Sequence, residues 1–482
     1  MAQTKDGLLA MIRDGEQMSL RQQLYLAAQL SVPAIMAQLS SIIMQYIDAS
    51  MVGNLGANEA AAIGLVSTTL WMFGGLCNAF TIGFSVQVAH LIGAKQQASA
   101  RSVLRQSIVA CVLLGLGMAS LGALISPFLP AWLGGNEEIC GDSSTYFLLF
   151  TLCIPFIILN MLASGMLRCS GNMRIPSILN ILMCVLDVIF NFVFIFPTRD
   201  VTLMGLSFSI PGAGLGVIGA ALGTGLAEVI VCGLMVYYLV MRSGELRLTQ
   251  DSGSFKPTRT VVVKAVHISF PMALQQFVMS TAHIMTTMIV APLGNISIAA
   301  NSLAITAESL CYMPGYGIGD AATTLVGQSL GAGRRYLARQ FARITVLLGM
   351  SVMGLMGVLM YVAAPAMMGF MTNVPDVIDL GASVLRIEAF AEPFFAAAIV
   401  TYGVFVGAGD TLVPCWMNVG SVWCVRLTLA WLLVNVVGMG LVGMWVAMAV
   451  ELCCRGLIFL LRLWCGNWTK KSKLASSVLI DD

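Results

Sequence analysis

Long apolar runs, broken at intervals by Gly, Pro or clustered charge, dominate the 482 residues. Twelve of them can cross a bilayer, whose hydrocarbon core takes roughly 20 apolar residues in helical form. They are 24–53, 60–89, 106–129, 144–167, 176–197, 213–241, 263–291, 298–326, 344–369, 383–406, 412–436 and 440–463. Several exceed 25 residues, which predicts tilted or kinked helices. Pro33 removes a backbone hydrogen bond inside the first run and predicts a kink there. Ten-residue segments of alternating polarity are missing, which argues against a barrel. The pattern therefore predicts an all-α integral membrane protein with twelve transmembrane helices.

Composition agrees: 58% of residues are hydrophobic and only 10% charged, against about 25% charged in soluble domains. Of the 25 Lys and Arg, 22 fall in the N-terminal segment, the C-terminal segment and the connections that share their side; the opposite connections hold only Arg199. Arg386 and Arg426 lie inside runs. The positive-inside rule then puts both termini in the cytoplasm. The first 20 residues are polar and carry no cleavable signal. The chain divides into a cytoplasmic segment 1–23, an amino lobe 24–241, a cytoplasmic linker 242–262, a carboxy lobe 263–465 and a cytoplasmic tail 466–482. The 13 Cys form no CxxC pair and read as small apolar packing residues in a reducing compartment. A net charge of +2 gives no reason to expect a nucleic-acid partner.

The two lobes repeat each other. At an offset of 238, Pro33 matches Pro271, Gln38 matches Gln276, and Leu55-Gly56 matches Leu293-Gly294. Gly93-Ala94, Arg101 and Arg105 match Gly331-Ala332, Arg339 and Arg343; Pro155-Phe156 matches Pro393-Phe394. Gly165, Gly171, Pro176 and Asn180 match Gly403, Gly409, Pro414 and Asn418. After a loop 14 residues longer in the first half, the offset becomes 224, and Gly214, Gly216 and Gly219 match Gly438, Gly440 and Gly443. Six runs per half give the halves the same orientation. A pseudo-two-fold axis along the membrane normal with a central cleft follows, as in secondary transporters built from parallel repeats.

The differences between the halves carry the candidate chemistry. Asp48 is the only charge between Arg21 and Glu59, six residues or about 9 Å from the end of its run. A carboxylate at that depth usually marks an ion or proton path. Its counterpart is Thr286; Asp187 faces Val425, Asn191 faces Leu429 and Thr224 faces Met448, while Asn180 keeps Asn418. Asn180, Asp187 and Asn191 share one helical face, and so do Thr224 and Glu228. Asp48, Asp187, Asn191 and Thr224, with Asn180 nearby, are expected to line one cavity that holds Na⁺ or a proton. A hydrogen-bonded polar core that only rigidifies the lobe is the alternative. In the carboxy lobe, Arg426 is expected to pair with Glu392 or Glu388. His283 and Glu308 face either the cleft or the core.

Asp48-Ala49-Ser50-Met51-Val52-Gly53-Asn54-Leu55-Gly56 resembles the first-helix signature of the multidrug and toxic compound extrusion (MATE) transporters. Gly165 to Pro176 and Gly403 to Pro414, with Gly409-Asp410-Thr411, resemble the paired motif before helices five and eleven of that family. The resemblance implies export of small organic, often cationic, compounds in exchange for Na⁺ or H⁺. It further implies a multi-pass protein of the bacterial inner membrane, acting as a monomer among lipids. Asp48 matches the family's first-helix acid and Thr224 its sixth-helix Thr. Asp187 and Asn191 stand in reversed order to the family's Asn-x-x-x-Asp. The carboxy-lobe acids of the NorM-like branch are missing from this chain, their places falling in the apolar region around Gln276 and Phe395, which favours the DinF-like branch coupled through the amino lobe. A flippase for lipid-linked precursors is the nearest alternative. An intramembrane enzyme is remote, since HExxH, G-x-S-x-G and P-loop motifs are missing, and with the last goes direct use of ATP.

Overall fold

The computed structural model describes residues 4–203, 206–465 and 467–469. Twelve helical spans fill it in two lobes of six. The first lobe holds Leu20–Gly53, Ala57–Gly93, Gln97–Ile125, a broken fourth span, Arg174–Ile195 and Gly216–Tyr237. The second holds Arg259–Val290, Asn295–Gly331, Arg335–Met371, a broken tenth span, Leu412–Val436 and Gly440–Cys465. Eleven of these are long and apolar enough to cross a membrane by composition. Asn295–Gly331, 37 residues long, is the repeat counterpart of Ala57–Gly93 and completes the set.

Repeated residues sit where the backbone needs them. Gly56 and Gly294 precede the second span of each lobe at φ +153° and +96°. Gly171 and Gly409 turn the chain into spans five and eleven at φ +92° and +75°. A side chain is strained at such angles, so the glycines recur in both halves. The proline pair breaks spans four and ten. Pro155 and Pro393 lie in the first turn of Ile154–Cys169 and Glu392–Gly407, bent 44° and 58° from Glu137–Leu152 and Pro375–Ala389. Without an N–H, proline starts a helix readily and costs a hydrogen bond when it falls inside one. The runs 144–167 and 383–406 therefore become longer, broken spans. The first span, by contrast, continues through Pro33.

Smaller elements complete this nearly all-helical fold. The longer loop of the first half is an antiparallel hairpin, Pro197–Leu203 with Leu206–Ala213. Segment 1–23 is not plain polar chain: it contains the helix Lys5–Asp14, and the first span starts at Leu20 on a Ser19–Gln22 capping box. Residues 466 and 470–482 lie outside the described residues, and with them Lys470, Lys471 and Lys473.

Span one packs on span eight, and span seven on span two, so each lobe lends its first helix to the other. At the face that carries Lys95, Arg101, Arg334 and Arg339, called the basic face below, the lobes are in close contact. Spans two and eight approach so tightly there that a Cβ on Gly93 would overlap the Gln328 carbonyl and one on Gly331 the His90 carbonyl.

Candidate functional site

Asp48 sits near the end of span one, Asp187 and Asn191 one turn apart on span five, and Thr224 on span six. The structure brings these four together. The Asn191 amide nitrogen donates to Asp48 Oδ1 and to Asp187 Oδ2, each at 3.1 Å. The shared amide draws the two carboxylates together, and Thr224 of span six lies beside Asp187. Asp187 is 1% exposed and Asn191 2%. Asp187 Oδ1 and Asn191 Oδ1 are buried with no partner among the described residues.

Close packing of span six on span five creates this arrangement. Gly223 lies directly against Asn191, and a Cβ there would overlap Asn191 Oδ1. Only a bare backbone allows that approach. One amide therefore bridges two acids, while a buried carboxylate oxygen and an amide oxygen stay free beside a hydroxyl. Two carboxylates in a low-dielectric site cannot both ionise cheaply unless a proton or a cation joins them. The oxygen set suits a hard cation or a shared proton.

Asn180 belongs to the same interface but not to this cluster: its amide bonds Ser41 Oγ at 3.0 Å and the Ala37 carbonyl at 3.4 Å. Glu228 is held by Asn160 of span four at 2.7 Å. Sequence reasoning missed Asn160, which carries no charge and shares no helix with the acids.

The carboxy lobe corrects the expected ion pair. Arg426 bonds neither Glu392 nor Glu388; its Nη2 and Nε donate to Glu451 Oε2 at 2.7 and 3.1 Å. Glu451, on span twelve, also meets Arg455 at 3.2 Å and Ser421 at 2.6 Å. Arg455, one of the 22 cations that the charge pattern assigns to the basic side, is instead 7% exposed inside span twelve. Glu and Arg four apart inside an apolar run were the available signal. Glu388 and Glu392 are each wholly buried, and none of their four oxygens has a partner among the described residues. Glu392 opens the second half of span ten, where the helix N-terminus favours a carboxylate; Glu388 closes the first half and has no such support. Glu308 is buried on span eight, while His283 is exposed on span seven.

Two six-helix lobes of like orientation, with helices crossing between them, form the parallel-repeat architecture of membrane transporters. The MatE family model matches residues 33–193 and again 271–432, two matches that begin 238 residues apart. The chain belongs to the MatE family, and it is a multi-pass membrane protein of that family. It is 26% identical over 447 residues to a probable multidrug resistance protein NorM of Thermotoga maritima, covering 92% of this chain and 93% of the relative. In fold it is similar to a crystal structure of MATE in complex with MaD3S, at TM-score 0.85 and 19% identity, covering 96% of this chain and 99% of that one. A MOP superfamily transporter from Pyrococcus furiosus gives TM-score 0.86 at 19% identity, with 96% and 98% covered. The relative's name, NorM, lends no support to the DinF-like branch.

Proposed function

We propose that the protein is a secondary active multidrug exporter that exchanges Na⁺ or H⁺ for small organic compounds by alternating access. The observation that carries this reading is Asn191 bridging Asp48 and Asp187 beside two buried, unpartnered oxygens. Such a site is incomplete without a proton or a cation. Filling it favours one packing of span one against span five, and bound substrate favours another. Each ligand shifts the equilibrium only by its differential affinity for the two states. Coupling through the amino lobe rests on this cluster, whatever name its relatives bear. The positive-inside rule supports a cytoplasmic basic face; a bacterial inner membrane and a monomeric chain belong to the same proposal. An ion gradient, not ATP, is the energy source in this reading.

A flippase for lipid-linked precursors would need cations in the cleft to receive a pyrophosphate; Arg426 is engaged by Glu451, and Arg386 donates to the Tyr361 carbonyl, which disfavours that reading. Dye accumulation in everted vesicles, driven in turn by a Na⁺ and a H⁺ gradient, tests the proposal. Transport that follows neither gradient would overturn it.

A further inference from the structure

The helix Lys5–Asp14 touches both lobes, yet it lies outside the matched repeats. Its apolar face is buried: Leu8, Leu9 and Ile12 are 0%, 3% and 0% exposed. They pack on Leu26 of span one, Met173 before span five, Leu325 of span eight and Phe341 of span nine. Leu9 lies against Gly171, where a Cβ would overlap it.

Three charged side chains hold the helix from three directions. Arg334, between spans eight and nine, donates to the Met11 carbonyl at 2.9 Å, to that of Ile12 at 3.4 Å and to that of Glu16 at 2.7 Å. A guanidinium thus adds charge-assisted bonds at the helix C-terminus, where the backbone carbonyls carry the negative end of the dipole. Arg13 pairs with Glu245 of the linker, and Lys95, between spans two and three, pairs with Asp14 at 2.5 Å.

Beneath the helix lies a seam between the lobes. Arg168 of span four pairs with Asp320 of span eight, Gln328 donates to the Cys169 carbonyl at 2.8 Å, and His90 meets the Gly407 carbonyl at 2.8 Å. The lobes cannot part at this face while one short helix is fastened to both.

We propose that the helix Lys5–Asp14 is a latch that holds the basic face closed, and that it lifts whenever the cleft opens to that side. The physical basis is direct: the same leucines are buried by both lobes at once, so separating the lobes must expose them or release the helix. Arg334 is a positioning residue here, since it acts through the helix and touches no transported compound.

Cys169, 5% exposed at the seam, serves as the reporter. In full-length protein with the other cysteines replaced, labelling by a membrane-impermeant maleimide is followed from each side of vesicles of known orientation. The expected result is an increase of about tenfold or more from the basic side in Arg334→Ala, because several charge-assisted bonds are lost together. Deletion of residues 2–15 should do the same, and Arg334→Lys should give a smaller increase. Unchanged labelling in both Arg334→Ala and the deletion would overturn the proposal. A parallel increase in a second single-cysteine protein that keeps only Cys111, buried inside the amino lobe, would mean general loosening and would overturn it too. The readout needs no gradient and no substrate, so it stands or falls apart from the ion-coupling assignment.

Discussion

Asn191 and Asp48 are 143 residues apart in the chain and joined by a 3.1 Å hydrogen bond. That bond ties span five to span one, and the second arm of the same amide ties both to Asp187. Any ion or proton that enters this cluster changes how the two spans hold each other.

Asp48→Asn, on this hypothesis, mimics a permanently protonated site. Gradient-driven export should fall about 10- to 100-fold, the equivalent of a charged hydrogen bond worth about 1.5–3 kcal/mol. Folding and substrate binding should persist. Asp187→Asn should behave alike, whereas Thr286→Ala, at the matching place in the other lobe, should be mild. Vesicle transport and equilibrium binding measured on the same preparations check this; full export by Asp48→Asn would refute the assignment.

Asn191→Leu installs the residue found at the matching place, Leu429. Both acids remain, but the amide that bridges them is gone. The predicted outcome is loss of coupling comparable to Asp48→Asn. Normal ion-dependent transport would show that the bridge is structural only.

Gly223→Ala should disrupt the site by geometry alone, because its Cβ would overlap Asn191. Overpacking of this kind costs about 1–3 kcal/mol. Gly233→Ala on the same helix, where a Cβ meets nothing within 4 Å, is the control and should be neutral or slightly stabilising. Thermal unfolding in detergent distinguishes them; equal behaviour of the two variants would remove the packing argument.

Glu451→Ala should be among the most damaging changes in the carboxy lobe. It leaves two buried arginines without their shared carboxylate, and breaking a buried ion pair costs about 3–5 kcal/mol. Arg426→Met should be milder, since Glu451 keeps Arg455. Glu388→Gln and Glu392→Gln should be tolerated or stabilising, since both carboxylates are buried without partners. Expression yield and melting temperature rank these variants; a Glu388→Gln protein that fails to fold would contradict the ranking.

Much of this architecture was legible in the chain because a bilayer restricts the options. Backbone groups in hydrocarbon must bond internally, so apolar runs become helices and their number follows from length. Duplication then marked the turns: Gly171 and Gly409 recur because both halves need the same positive φ. Asp48, Asp187, Asn191 and Thr224 stood out as polar residues in one half without polar counterparts, apart from the Thr286 hydroxyl opposite Asp48. The Arg426 pairing was misjudged for a physical reason. Depth along a span can be counted, but the direction a side chain takes around the bundle depends on how neighbours pack, and Glu451 reached Arg426 from a helix whose rotation no count reveals.

The sequence by itself determined what short-range chemistry controls: where helices run, where glycine and proline interrupt them, which half carries the acids and which face is basic. Tertiary structure alone decided which groups meet. It placed Asn191 between two carboxylates, left Asp187 Oδ1 unpartnered, turned Glu451 toward two arginines and fastened Lys5–Asp14 across both lobes. Such contacts join residues far apart in the chain and are fixed by close packing, in which a single absent Cβ, as at Gly223, sets the distance between helices.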